Sequence, residues 1–177
     1  VDTGVAGDMS ALPRQEVSIH DLTAPLRETV AASGVVNGTA HLVSQHTTVA
    51  LTINEDEARL RRDYAKWLLA LAPPDAPYLH NDLEQRPETE RDLAAIERNW
   101  MSQGKGTLEE FMAQEPLNAH AHLLASLLGT TLSVPVVGGE LAIGQWQSVL
   151  MVELDGPRMR KVGCQVCGYV SHDDEQH

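Results

Sequence analysis

Apolar positions along this chain recur with two different periods, and the changes of period mark its elements. "QEVSI" (15–19) alternates and predicts a short strand. "TAPLRETVAASG" (23–34) predicts a helix, with Thr23 as N-cap, Pro25 in the first turn and Gly34 as the stop. "GTAHLVSQHTTVALTI" (38–53) is rich in Thr and Val but breaks its alternation, so it predicts one long or bulged strand, or two strands. Asn54 then reads as the cap of a second helix. Its Leu60, Tyr64, Trp67, Leu68 and Leu71 recur at helical spacing, as a buried stripe should, and "PPDAP" (73–77) ends it.

Residues 81–117 are the least core-like part of the chain. "RPETERDLAAIERNW" predicts a charged, exposed helix, "SQGKG" a turn, and "TLEEFMAQ" a short helix opened by a Thr107/Glu110 capping box. The stretch reads as a surface insertion, either a lid or a solvated helical excursion. "NAHAHLLASLLGTT" (118–131) is a helix with Asn118 as N-cap and Gly129 as its left-handed end. At about 100° per residue, Leu123, Leu124, Leu127 and Leu128 form one stripe with His120 in its middle. His122 falls on the opposite side, beside Ser126. "TTLSVPVV", the Gly138-Gly139 turn, "ELAI", "SVLMVEL", "DGPR" and "RMRKVGCQVCGYV" then predict a C-terminal antiparallel meander. Strands in series with a few helices give an α+β fold of antiparallel or mixed sheets.

The 177 residues suit one domain over 15–170, with a mobile polar arm at 1–14 and a polar tail at 171–177. Only 4% of residues are aromatic, so the core must be built from Leu, Val, Ala and Ile. The net charge of −12 argues against nucleic acid or an anionic membrane as partner, while leaving room for a local positive pocket. No run of 18 apolar residues exists to span a membrane, and the first residues have neither the basic start nor the apolar run of a secretion signal. Cys164 and Cys167 sit in a strand-like setting, where i and i+3 face opposite sides, so they read as strand residues of a cytoplasmic, reducing compartment.

Of the eight histidines, His172 and His177 lie in the tail, and His20 and His41 read as structural or surface residues. His46, beside two threonines in "QHTT", His80, after "APY", and His122 are each in an open, polar setting. Three such imidazoles suit zinc or a similar divalent ion with an open coordination position. The carboxylates of "NEDE" (54–57) fit either a helix start or a metal. Nucleotide and hydrolase signatures such as G-x-G-x-x-G, the P-loop, G-x-S-x-G and H-E-x-x-H are absent.

"QHTTVALTINEDEARLRRD" (45–63), "PYLHN" (77–81), "AHLLASLLGTTLSVPVVGGELAIGQWQ" (121–147) and "DGPRMRK" (155–161) together resemble the YjbQ-like family, also known as secondary thiamine-phosphate synthases. The resemblance spans about 38 to 161. It implies a compact α+β homotrimer with a histidine-rich cleft, and it selects His122 over His120 as the site residue. It places His46, His80 and His122 as catalytic and metal-binding residues, with Thr47, Asn54, Glu55, Ser126, Trp146 and Gln147 as substrate contacts. It also implies a divalent metal of the zinc or magnesium class and a small-molecule phosphate substrate. The implied reaction joins hydroxymethylpyrimidine diphosphate to thiazole phosphate and releases diphosphate, with a non-catalytic metal- or metabolite-binding oligomer as the alternative. The chain departs from the family pattern in the length of the acidic link from His80 to His122, in Gln145 and Ser148, and in its "GCQVCGYV" ending. The link bears on the shape of the pocket. Arg158, Arg160 and Lys161 are candidate cations whose placement the sequence leaves open.

Overall fold

A computed structural model describes residues 16–170; the polar arm and tail expected from the sequence lie outside the described residues. The strands are β1 (Ser18–Asp21), β2 (Val35–Ser44), β3 (Val49–Asn54), β4 (Thr131–Val137), β5 (Glu140–Leu141), β6 (Ser148–Glu153) and β7 (Val162–Val170). The helices are α1 (Thr23–Ser33), α2 (Ala58–Leu71), α3 (Glu90–Asn99), α4 (Leu108–Gln114) and α5 (Ala119–Leu128). Two antiparallel sheets form, ordered β1-β6-β3 and β5-β4-β2-β7. The α+β expectation holds, but the C-terminal meander does not. β6 leaves β4 and β5 to lie between β1 and β3, and β7 returns to pair with β2.

β6 explains the switch. Its "VLMV" core is buried on both faces, and a strand buried twice must be the centre of a sheet covered on both sides. Val149 and Met151 join Leu42, Val49, Leu51 and Val134 between the two sheets, where α1 adds Leu26 and Val30. Leu150 and Val152 point the other way, to Leu68 of α2 and Ala121, Leu124 and Ala125 of α5. The layers are thus sheet, sheet and a pair of helices. The 38–53 run is two strands in different sheets, split by a turn at 45–48. β2 and β7 approach closely at Gly38 and Gly168: a Cβ at Gly38 would lie 2.1 Å from the Cys167 carbonyl oxygen.

Several local expectations shift. α2 starts at Ala58, with Glu57 as its cap, because Asn54 is still paired in β3. Only Leu68 of its predicted stripe is fully buried, while Trp67 and Leu71 are about half exposed. The α5 leucine stripe is likewise rotated. Ala121, Leu124 and Ala125 face the core, and Leu123 and Leu127 are exposed at 54% and 63%. The cause is the close packing of α5 on the sheet, which favours the small side chains of Ala121 and Ala125 over leucine. Gly129 ends the helix at φ 95°, ψ 148°, a glycine conformation outside the left-handed helical basin. The Thr107/Glu110 capping box forms as expected, and no residue from 81 to 117 is buried. No helix among the described residues is long and apolar enough to cross a membrane.

The rotated face gives a direct test. Leu124→Ala is expected to cost about 2–5 kcal/mol of unfolding free energy, as buried leucines do, and Leu123→Ala less than half of that. Denaturant titration of both variants checks it, and equal losses would restore the all-leucine stripe.

Candidate histidine site

The site is built where β6 ends. Glu153 is the last residue of β6 and is fully buried on the inter-sheet side, where the alternation of the strand would otherwise put an apolar group. Its partner is Arg160, also buried, whose Nε donates to Oε2 and whose Nη2 donates to Oε1 at 2.6 Å. Arg160 reaches the buried Thr48 hydroxyl at 3.3 Å, and Glu153 Oε1 accepts the Asp155 backbone N–H at 2.9 Å. This bidentate pair closes the 153–161 loop on itself. Gly156 must be glycine here, since a Cβ would meet Glu153 Cγ at 2.5 Å.

One side of the loop leads to α5. Asp155 accepts from Asn118 Nδ2 at 2.6 Å and pairs with Arg158 at 3.2 Å. Asn118 precedes the first turn of α5, but its side chain goes to Asp155 and leaves the cap unmade; Asn81 Oδ1 instead accepts the Ala119 N–H at 3.0 Å. That contact anchors the Leu79–Asn81 turn beside α5. The ring of His80 there meets the ring of His122 edge to face, with centroids 4.9 Å apart. Arg86 braces the turn, donating to the His80 carbonyl and to Glu115 at 3.0 Å each. Burial lowers the pKa of both imidazoles. Arg86 pushes His80 further down, and His80 does the same to His122. Both rings are therefore neutral at pH 7, with lone pairs to offer. His80 Nε2 and Asn118 Oδ1 are both buried with no other hydrogen-bond partner, and a side-chain contact between Asn118 and His80 partly opposes the lowering of the His80 pKa.

The other side of the loop leads to His46, in the 45–48 turn. Its Nε2 accepts the Lys161 N–H at 2.8 Å, just beyond the β2–β7 ladder. His46 thus stands by the Glu153–Arg160 pair and does not join His80 and His122. Among the described residues, no three His, Cys, Asp or Glu side chains gather as a metal cage within one chain would require.

The remaining predicted residues divide by position. Thr47 is exposed beside His46, and the Ser126 hydroxyl caps the His122 carbonyl within α5. Asn54, Glu55, Trp146 and Gln147 lie at the opposite end of the β3–β6 pair, where Asn54 faces Ser148. The five steps along a six-residue strand, at about 3.4 Å each, separate the two ends by roughly 17 Å. Trp146 is 71% exposed there, and Gln147 accepts the Gly144 N–H at 2.7 Å. Glu153, Asp155 and Asn118 were not singled out by the sequence as site residues. The available signal was a carboxylate closing the apolar run "VLMVE", which requires a buried partner.

His120, on the neighbouring face of α5, is fully buried, and neither ring nitrogen has a partner. Burial lowers its pKa as well, and His20 and His46 shift the same way for the same leading cause.

A sheet-on-sheet α+β fold with a neutral histidine pair beside a buried ion pair defines the class of protein. The chain belongs to the UPF0047 YjbQ-like family, whose model matches residues 8–169. A UPF0047 protein of Methanothermobacter thermautotrophicus is 32% identical over 154 residues, covering 87% of this chain and 85% of that one. The crystal structure of a hypothetical protein from Aeropyrum pernix K1 is similar at TM-score 0.66 and 32% identity, covering 86% of this chain and 90% of that one. A YjbQ/UPF0047 protein of Clostridium acetobutylicum is similar at TM-score 0.63 and 28% identity, with 85% and 92% covered.

The lowered histidine pKa values carry a sign. Between the folded-state values and the ordinary value near 6.5, the unfolded chain binds more protons, so stability rises with pH in that window and levels off above it. The thermal midpoint is expected to fall on acidification below about pH 6.5, as calorimetry will measure; a flat profile down to pH 5 would contradict it. His120→Leu removes two unpartnered buried nitrogens. It should leave stability at pH 7 unchanged or raise it by up to about 2 kcal/mol, and shallow the acid slope. A clear loss of stability would instead mean that the ring is hydrogen-bonded in solution.

Proposed function

We propose that this chain is a divalent-metal-dependent enzyme acting on small phosphorylated molecules, and that its reaction is the condensation of hydroxymethylpyrimidine diphosphate with thiazole phosphate. The observation that carries this reading is the His80–His122 pair. Two neutral imidazoles in edge contact are a ligand set for zinc or a similar ion. His80 and His122 would hold the ion, with water, substrate or a neighbouring subunit filling its other positions. In the reaction, the thiazole nitrogen gives its lone pair to the pyrimidine methylene carbon while the C–O bond to diphosphate breaks. Negative charge therefore grows on the leaving oxygens, and a bound divalent ion would supply its neutralisation. The chain's own part is to orient: Asn118 and Asp155 support the first turn of α5, and Arg86 fixes the His80 backbone.

The two-ended distribution of the candidate residues favours a homotrimer. Head-to-tail contact in a closed ring joins opposite ends of adjacent copies, so Asn54, Glu55, Trp146 and Gln147 of one subunit would face the histidines of the next. The exposed Leu123, Leu127 and Trp146 supply apolar surface for such contacts. A second reading, a non-catalytic metabolite-binding oligomer, draws on the hollow of about 400 Å³ against His80. Its lining sets two carboxylates, Glu88 and Asp92, against one guanidinium, Arg86, which is already paired with Glu115, a poor match to a diphosphate.

The expected outcomes are a scattering mass of three chains, divalent metal that co-purifies and is lost in His122→Ala, and slow metal-dependent formation of thiamine phosphate. His122→Ala should lower turnover about 10²-fold or more, while His41→Ala, at the exposed Ser133 contact, retains metal and activity. Stoichiometric metal without product would favour the second reading, and metal retained by His122→Ala would remove the site.

A further inference from the structure

His46 is hydrogen-bonded in a way that fixes which of its nitrogens faces a ligand. The Lys161 backbone N–H is a donor only, so Nε2 of His46 supplies a lone pair, and the neutral ring carries its proton on Nδ1. The position is firm. The Lys161 carbonyl accepts the Gln45 N–H at 3.1 Å, and the Ser44 hydroxyl accepts the His46 N–H at 3.2 Å. Nδ1 has no hydrogen-bond partner among the described residues, and the ring is only half-buried.

Its surroundings are cationic. Arg158, Arg160 and Lys161 all lie near enough to disfavour a charged His46, with Glu153 as the opposing carboxylate. Arg160 is matched by Glu153 and Arg158 by Asp155, while the Lys161 side chain is exposed. Three cations against two carboxylates leave this loop locally positive on a chain of net charge −12. A directed N–H donor, a flanking ammonium and a nearby guanidinium are the parts that recognise a tetrahedral oxyanion.

We propose that His46 Nδ1–H, with the Lys161 ammonium and Arg158 beside it, forms an oxyanion subsite that takes a phosphate group of the ligand. The assignment deepens the function proposed above, since it gives His46 the role of donor to the substrate and leaves metal ligation to His80 and His122. It also places the positive charge of the site on the 155–161 loop.

The test reads phosphate binding on chelator-treated protein, so its failure is separable from failure of the metal or catalytic reading. Long-range ¹H–¹⁵N correlation spectra should show His46 protonated at Nδ1, and inorganic phosphate should shift that resonance saturably. His46→Phe and Lys161→Gln, each checked for native circular dichroism, should weaken phosphate about tenfold or more, as loss of one charge-assisted contact does. His46→Asn, whose amide N–H falls near the Nδ1 position, should bind more tightly than His46→Gln. An organic phosphate monoester competing with inorganic phosphate identifies a ligand's phosphate as the natural occupant, and competition only by free phosphate would overturn that assignment. A ring protonated at Nε2, or phosphate affinity equal in wild type and both His46→Phe and Lys161→Gln, would overturn the subsite.

Discussion

A carboxylate and a guanidinium are buried together where the central strand ends, and both halves of the histidine region hang from that pair. Taking Glu153 and Arg160 out of water costs several kcal/mol for each ion, and only close bidentate geometry with further partners offsets it. Those partners do the positioning. Glu153 also holds the Asp155 N–H, which sets the Asp155 carboxylate against Asn118 at the start of α5. Arg160 holds Thr48 and brings the adjacent Lys161 N–H onto His46. Loss of one partner alone would leave a buried charge unmatched and release both contacts at once. The pair therefore contributes to the specificity of the loop more than to net stability.

Around this pair the electrostatics divide. The imidazoles of His80 and His122 are kept neutral by burial and by neighbouring positive charge, which suits them to donate lone pairs. His46 is kept neutral as well, but its lone pair is already spent on a backbone N–H. Histidines of the same charge state thus present opposite hydrogen-bonding character a few residues of network apart. An acidic chain gains a positive spot because the 155–161 loop concentrates three of its 13 Lys and Arg residues.

Legibility in the sequence followed the range of the interaction. Local signals are legible where the structure settles them locally: the Thr107/Glu110 capping box, the Gly34 stop of α1, and the helix from Ala119. The α+β class was legible from the order of strands and helices. The sheet partners of β6 and β7 were not, since burial of "VLMV" on two faces depends on β1 and β3, far away in the chain. The α5 face failed for a related reason. A stripe of leucines outranks two alanines in hydrophobicity, yet small Ala121 and Ala125 are what permit the helix to approach the sheet. Of the candidate site, His80 and His122 meet as an edge contact while His46 stands apart from them, and the Glu153–Arg160 link between distant turns has only a lone charge in an apolar run to announce it.

The segment between His80 and α5 shows how such a frame tolerates change beside its centre. None of residues 81–117 is buried, so their sequence is free of the packing constraints that fix β6. They are tied down near their ends, by Asn81 to the Ala119 N–H and by Arg86 between the His80 carbonyl and Glu115. These ties brace the backbone that carries His80 whatever the intervening helices do. Length and charge in the segment can then vary at little cost to the fold, because lengthening a surface loop adds only about 0.6 kcal/mol per doubling. The hollow it walls against His80 changes with it. In this architecture His122 is set by the helix packed on the core, His80 by ties to the two ends of the 81–117 segment, and the shape of the space in front of the pair by the rest of that segment.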